Sequence, residues 1–117
     1  MGSNFLQVVE NRTWVSHALT DPVSVTADTE IAEITTIVEN SDVSIVSLDA
    51  VFEDAGKLYY VDANGKSNYL TDPSQNYPAK KVILATFFLK KGDTVSLRYS
   101  GNTTLYHLYV VHGAGVF

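Results

Sequence analysis

The sequence predicts an all-β fold, an antiparallel β-sandwich of jelly-roll type. Three observations carry that expectation. Apolar and polar residues alternate with a period of two along much of the chain, as in Asp93-Thr94-Val95-Ser96-Leu97-Arg98-Tyr99, which sets Val95, Leu97 and Tyr99 on one face. The same stretches are rich in β-branched and aromatic residues. Turn residues punctuate them at short, even intervals, with no 20–50-residue repeat.

Taken in order, strands are expected at 5–9, 13–18, 23–26, 30–38, 43–53, 57–62, 67–70, 80–89, 93–99 and 103–112, eight or nine in all once one or two marginal ones are discounted. The segment Asp28–Glu39 also fits a helical stripe through Ile31, Ile34, Ile37 and Val38. Its run of β-branched residues favours a strand, bulged to reconcile the phase. Asn64-Gly65, between Leu58-Tyr59-Tyr60-Val61 and Ser67-Asn68-Tyr69-Leu70, predicts a type I′ hairpin. Lys90-Lys91-Gly92-Asp93 and Ser100-Gly101-Asn102 join later pairs tightly. The runs Val82–Leu89 and Leu105–His112 are apolar at both phases, so each is covered on both faces or faces a second subunit.

The 117 residues form one domain, 1–117, with no interdomain linker. Met1-Gly2-Ser3 reads as a cloning remnant as readily as a natural start. Hydrophobic residues are 45% of the chain and charged residues 18%, which excludes ordinary disorder. A net charge of −5, with 8 Lys and Arg against 13 Asp and Glu, argues against nucleic-acid binding. No apolar run reaches the ~20 residues of a membrane helix, so no membrane insertion is expected. The chain has no cysteine.

Catalytic signatures are absent. No Gly-x-Ser-x-Gly elbow accompanies His17, His107 and His112. His107 and His112 are five apart, which in a flat strand turns them to opposite faces and prevents chelation. Asp62-Ala63-Asn64-Gly65 lacks the later ligands of a calcium loop. The reading is therefore a non-enzyme with no metal and no cofactor.

Two surfaces are expected to bind. Seven tyrosines in the chain supply flat apolar rings with a polar tip. The stretch Asn68–Pro78 interleaves rings with amides and carboxylates, which suits a sugar face and its hydroxyls. Tyr69, Asp72, Gln75, Asn76 and Tyr77 are its candidate ligand-binding residues. A polar crossing loop between two sheets would have the same composition. Tyr106 and Tyr109 are expected on opposite faces.

The stretch Phe88-Leu89-Lys90-Lys91-Gly92-Asp93-Thr94-Val95-Ser96-Leu97, followed by a Gly-Asn turn and an aromatic strand, resembles the closing hairpin of trimeric jelly rolls. Tumour-necrosis-factor and C1q-like domains and several phage fibre heads share this Leu-x-x-Gly-Asp-x-Val pattern. The resemblance covers residues 80–117, and the ending differs from the C1q pattern. It implies a homotrimer whose threefold axis is lined by Phe87, Leu89, Tyr106, Leu108 and Phe117. The function expected is attachment or display at a virion surface or another extracellular site, with a cell-surface glycan or another virion protein as partner. The alternative is a carbohydrate-binding module of a bacterial surface protein or enzyme, monomeric and using the 68–78 loop.

Overall fold

The computed structural model describes residues 13–35, 43–90 and 94–114. Nine strands lie within them: β1 (Thr13–Ala18), β2 (Val23–Val25), β3 (Glu30–Thr35), β4 (Val43–Phe52), β5 (Leu58–Val61), β6 (Ser67–Tyr69), β7 (Ile83–Lys90), β8 (Thr94–Tyr99) and β9 (Thr103–Ala114). They form two antiparallel sheets. One has the order β1-β9-β4-β7 with β2 also on β9; the other has the order β3-β8-β5-β6. The chain changes sheet at nearly every connection from β2 onward, the jelly-roll path. The expected strand at 5–9 lies outside the described residues. Residues 30–35 are strand, with a register shift between Glu30 and Ala32.

The core follows from the alternation. Val95, Leu97 and Tyr99 are buried on the inner face of β8, opposite Val46, Leu48, Ala50 and Phe52 of β4 and Leu105, Leu108 and Val110 of β9. Burying each such large apolar side chain contributes roughly 1.5–3 kcal/mol against the cost of ordering it. Two aromatic stacks bridge the sheets. Phe52 lies on Tyr99 with ring centroids 3.8 Å apart and an interplanar angle of 9°. Tyr60 lies on Phe87 at 4.4 Å and 16°.

Three local expectations are corrected. The Asn64-Gly65 hairpin is not type I′, because a type I′ turn needs positive φ at both residues and only Gly65 has it, at +79°. Gly65 N–H donates to the Asp62 carbonyl at 3.0 Å, and Asp62 N–H to the Lys66 carbonyl at 3.0 Å. This is a type I turn followed by a left-handed glycine. Asp62 Oδ1 stabilises it by accepting from the Asn64 and Lys66 amides, both at 3.0 Å. Those bonds, with one from Asn68, hold the Asp62 carboxyl below its usual range.

The second correction concerns β9. Its register with β4 steps from Val51↔His107 to Phe52↔Leu105, leaving Tyr106 as an extra residue. This bulge resets the side-chain phase. Leu105 and Leu108 both point inward although three apart, while Tyr106 and Tyr109 both face solvent. The tyrosines thus share a side of the sheet.

The third correction concerns the apolar runs. Of the interface candidates, Phe87, Leu89 and Leu108 are buried within one subunit, part of the core cluster. Their strands instead turn Leu84, Phe88 and Tyr109 outward, 74%, 64% and 41% exposed. Tyr106 is also outward, and Phe117 lies outside the described residues.

Candidate functional site

The β6–β7 connection, residues 70–82, crosses between the sheets at the edge where β6 and β7 are the outermost strands among the described residues. Its shape follows from local chemistry. Pro73 presets φ for a turn that closes with Gln75 N–H donating to the Asp72 carbonyl at 3.4 Å. Asp72 Oδ1 accepts from Ser74 N–H at 2.9 Å and from Ser74 Oγ at 2.7 Å. Asp72 Oδ2 accepts from Gln75 Nε2 at 3.4 Å. The Ser74 bonds, the hydroxyl first, hold the Asp72 carboxyl below its ordinary range.

Tyr77 pins the far side of the loop. Its backbone exchanges hydrogen bonds with Gly56, at 2.6 and 3.2 Å. Its hydroxyl donates to the Val82 carbonyl at 2.7 Å, and its ring packs against the core. Lys80, at φ 61°, then turns the chain, with its N–H donating to the Phe52 carbonyl at 2.8 Å.

Between loop and sheets lies a cleft of about 320 Å³. Asp72, Gln75, Asn76 and Tyr77 line it, over a floor of Leu70, Ile83 and Leu84. A second, more open groove of about 570 Å³ adjoins it, with Leu70 and Leu84 common to both. Tyr60, Phe87 and Asn68 line the second groove, and Tyr69 stands on its rim. The first cleft has the size and the mixture of apolar floor and few polar groups usual for small-ligand sites.

The candidate residues are not equivalent there. Asp72 spends its oxygens on its own turn, and Tyr77 spends its hydroxyl on Val82. The Asn76 amide has no hydrogen bond to any described residue and is available to a ligand. Tyr69 turns away from the cleft, onto the outer face of the four-stranded sheet, where its ring meets Tyr59 at 5.2 Å. Leu70, Ile83 and Leu84 are cleft residues that sequence reasoning missed. They read as ordinary strand residues, and only the crossing of the loop over them makes them a floor.

Elsewhere, the outer face of the five-stranded sheet carries a His107 Nε2–Asp49 Oδ2 contact of 3.1 Å. At one end Glu53 accepts from the Tyr106 hydroxyl and pairs with Lys80 at 3.4 Å. The Tyr106 bond lowers the Glu53 carboxyl and raises the Tyr106 phenol. Among the described residues no group of three or more His, Asp or Glu is arranged to hold a metal ion, and no helix long and apolar enough to cross a membrane is present.

The sandwich is similar to the globular domain of zebrafish complement 1qA protein, with a TM-score of 0.55 and 15% identity over 89% of this chain and 95% of that one. The fold the two share is an antiparallel jelly-roll sandwich. At that identity the likeness concerns the fold alone. Weaker likenesses are to the C-terminal domain of EclA, described as a sugar-binding protein (TM-score 0.49, 13% identity, 84% of this chain and 78% of that one), and to the VP2 subviral particle of infectious bursal disease virus (0.47, 6%, 91% and 33%). No family profile and no curated protein sequence matches the chain.

Proposed function

We propose that this non-catalytic jelly roll is an attachment or display domain of a virion or other extracellular surface, that it assembles as a homotrimer, and that it binds a cell-surface glycan in the cleft beneath the 70–82 loop. One observation carries the reading. The outer face of the five-stranded sheet presents Leu84 and Phe88 to solvent, in register with Asp49 and Ile45 of β4 and close to Tyr109 of β9. A monomer gains nothing from such a face, whereas a second copy would bury it; stable contacts remove ~800 Å² from each partner. Leu84 also belongs to the cleft floor, so assembly and ligand binding would meet at one residue.

A monomeric carbohydrate-binding module is the second reading. The cleft favours it by offering an apolar floor of Leu70, Ile83 and Leu84 beneath a few polar groups, the arrangement usual for small-ligand sites. Light scattering after size exclusion separates the two. A mass near three times 12.8 kDa supports the display domain, and a mass near 12.8 kDa leaves the module. On a glycan array, Asn76→Ala should lower retention without changing the fold. Unchanged retention would remove the cleft from consideration.

A further inference from the structure

We infer a carbohydrate-binding shelf on the outer face of the four-stranded sheet, selective for neutral glycans and separate from the cleft. Four outward side chains stand in direct register across all four strands. Glu30 of β3 pairs with Arg98 of β8, Arg98 with Tyr59 of β5, and Tyr59 with Tyr69 of β6. At ~4.8 Å per strand the row is about 14 Å long, which suits a short oligosaccharide better than a single ring.

Each member of the row is held before any ligand arrives. Tyr69 is 47% exposed, and its ring rests on Tyr59 at 5.2 Å and 37°. Tyr59 thereby props the ring, and nearly half of the Tyr69 surface remains exposed to meet a pyranose. Tyr59 is itself buried, and its hydroxyl donates to Asp28 Oδ1 at 2.6 Å. Arg98 Nε reaches Ser96 Oγ at 3.4 Å, and Arg98 Nη1 donates to the Asp28 carbonyl at 3.2 Å. A guanidinium has five N–H groups, so three of them are not used by these bonds. Ser96 Oγ donates to Glu30 Oε1 at 3.0 Å, which orients that carboxylate while leaving its second oxygen open. An aromatic face at one end of the row and a fixed donor and acceptor side by side at the other suit two units of one oligosaccharide, the first stacking and the second offering vicinal hydroxyls.

Charge selects within the sugars. Two carboxylates lie on the row around Arg98: that of Glu30, its cross-strand partner, and that of Asp28, which accepts from the hydroxyl of its other partner, Tyr59. A sialylated or sulfated glycan would have to approach Arg98 past both of them. A neutral glycan meets no such barrier and can use both signs at once.

The inference shares the carbohydrate class with the proposed function but not its location, so variants divide the two. The whole chain is applied to an array of neutral oligosaccharides and their sialylated counterparts, as wild type, Tyr69→Ala, Tyr69→Phe and Asn76→Ala. The expected result is a set of neutral glycans whose retention is weakened about tenfold or more by Tyr69→Ala and kept by Tyr69→Phe, while Asn76→Ala weakens a different set, the one held in the cleft; tenfold corresponds to ~1.4 kcal/mol. Loss on Asn76→Ala with Tyr69→Ala unchanged would leave the cleft and overturn the shelf. A preference for the sialylated counterparts would also overturn it. Retention of no glycan by the wild type would overturn both sites. Circular dichroism on each variant separates these outcomes from misfolding.

Discussion

Gly56 lies flat against the ring of Tyr99: a Cβ added to Gly56 would stand 2.5 Å from Tyr99 Cε2 and 2.7 Å from Cζ. Tyr99 cannot retreat, because Phe52 is stacked on it and its hydroxyl donates to the Asp54 carbonyl at 2.6 Å. Three elements therefore close on one ring: β4 through Phe52, the β4–β5 crossing through Gly56 and Asp54, and β8 through Tyr99 itself.

Gly56→Ala should accordingly cost about 1–3 kcal/mol by overpacking. Gly65→Ala should cost about 1–2 kcal/mol for a different reason: nothing lies near its Cβ, but its φ of +79° disfavours any side chain. Urea unfolding of Gly65→Asn separates the two causes. Asn tolerates the left-handed region and should recover part of the loss at 65, whereas no larger residue recovers it at 56.

Alkaline pH should unfold the domain through its buried phenols. Burial first, and then Asp28 beside Tyr59 and Asp54 beside Tyr99, push both groups from 10.0 up to about 12. The folded state keeps protons that the unfolded chain releases above pH 10, so this stability is complete below that pH and is lost as pH rises toward 12. Tyr59→Phe should make the decline in urea midpoint shallower over this window. An unchanged slope would contradict the assignment.

On the acid side the sign reverses. Asp62 and Asp72 are held below their ordinary 3.8, so their contribution is present above that value and is lost as pH falls through the lower folded ones. Asp62→Ala should lower the melting temperature at pH 7 and flatten its fall below pH 4; equal flattening by a distant Asp21→Ala would refute the role given to the turn.

Substitutions on β7 should follow its phase. Phe87→Ala should destabilise the fold by about 3–5 kcal/mol, since its ring is buried against Tyr60. Leu84→Ser with Phe88→Ser should leave the unfolding midpoint of the subunit nearly unchanged and shift the mass in light scattering to that of a monomer. If the paired serines left the mass of an assembled form intact, the contact face would have to be sought elsewhere.

Tyr77→Phe keeps the ring and removes only the bond to the Val82 carbonyl, a loss of about 1 kcal/mol. Because that bond ties down the segment holding Lys80 and Lys81, trypsin should cut there faster in the variant than in the wild type. Equal rates would mean that the Gly56 backbone pair alone holds the loop.

The architecture was legible because the period-two signal is redundant. In β8, Val95, Leu97 and Tyr99 alternate with Ser96 and Arg98, and no other phase is available. β7 was legible as a strand but not as to its faces, since Ile83-Leu84-Ala85-Thr86-Phe87-Phe88-Leu89 is apolar at both phases. Thr86 was the usable signal: it shares a phase with Leu84 and Phe88 and marks that phase as the outer one. The bulge at Tyr106 was not legible, because a lone extra residue in an aromatic strand leaves the local pattern plausible at either phase. Tyr69 and Tyr77 sit in one polar loop sequence, yet strand alternation turns the first outward while the Gly56 pairing holds the second inward. Sequence proximity grouped side chains that the sheet separates.

The extra residue at Tyr106 gives the last strand two independent halves. Residues 103–105 follow one parity beside β2, and residues 107–111 follow the opposite parity beside β1 and β4. Deleting the codon for Tyr106 itself would remove the bulge and restore an unbroken alternation, with Leu105, Leu108 and Val110 still inward. A single-residue deletion should therefore be tolerated better at Tyr106 than between Leu108 and Val110, where it would reverse the parity of the rest of the strand.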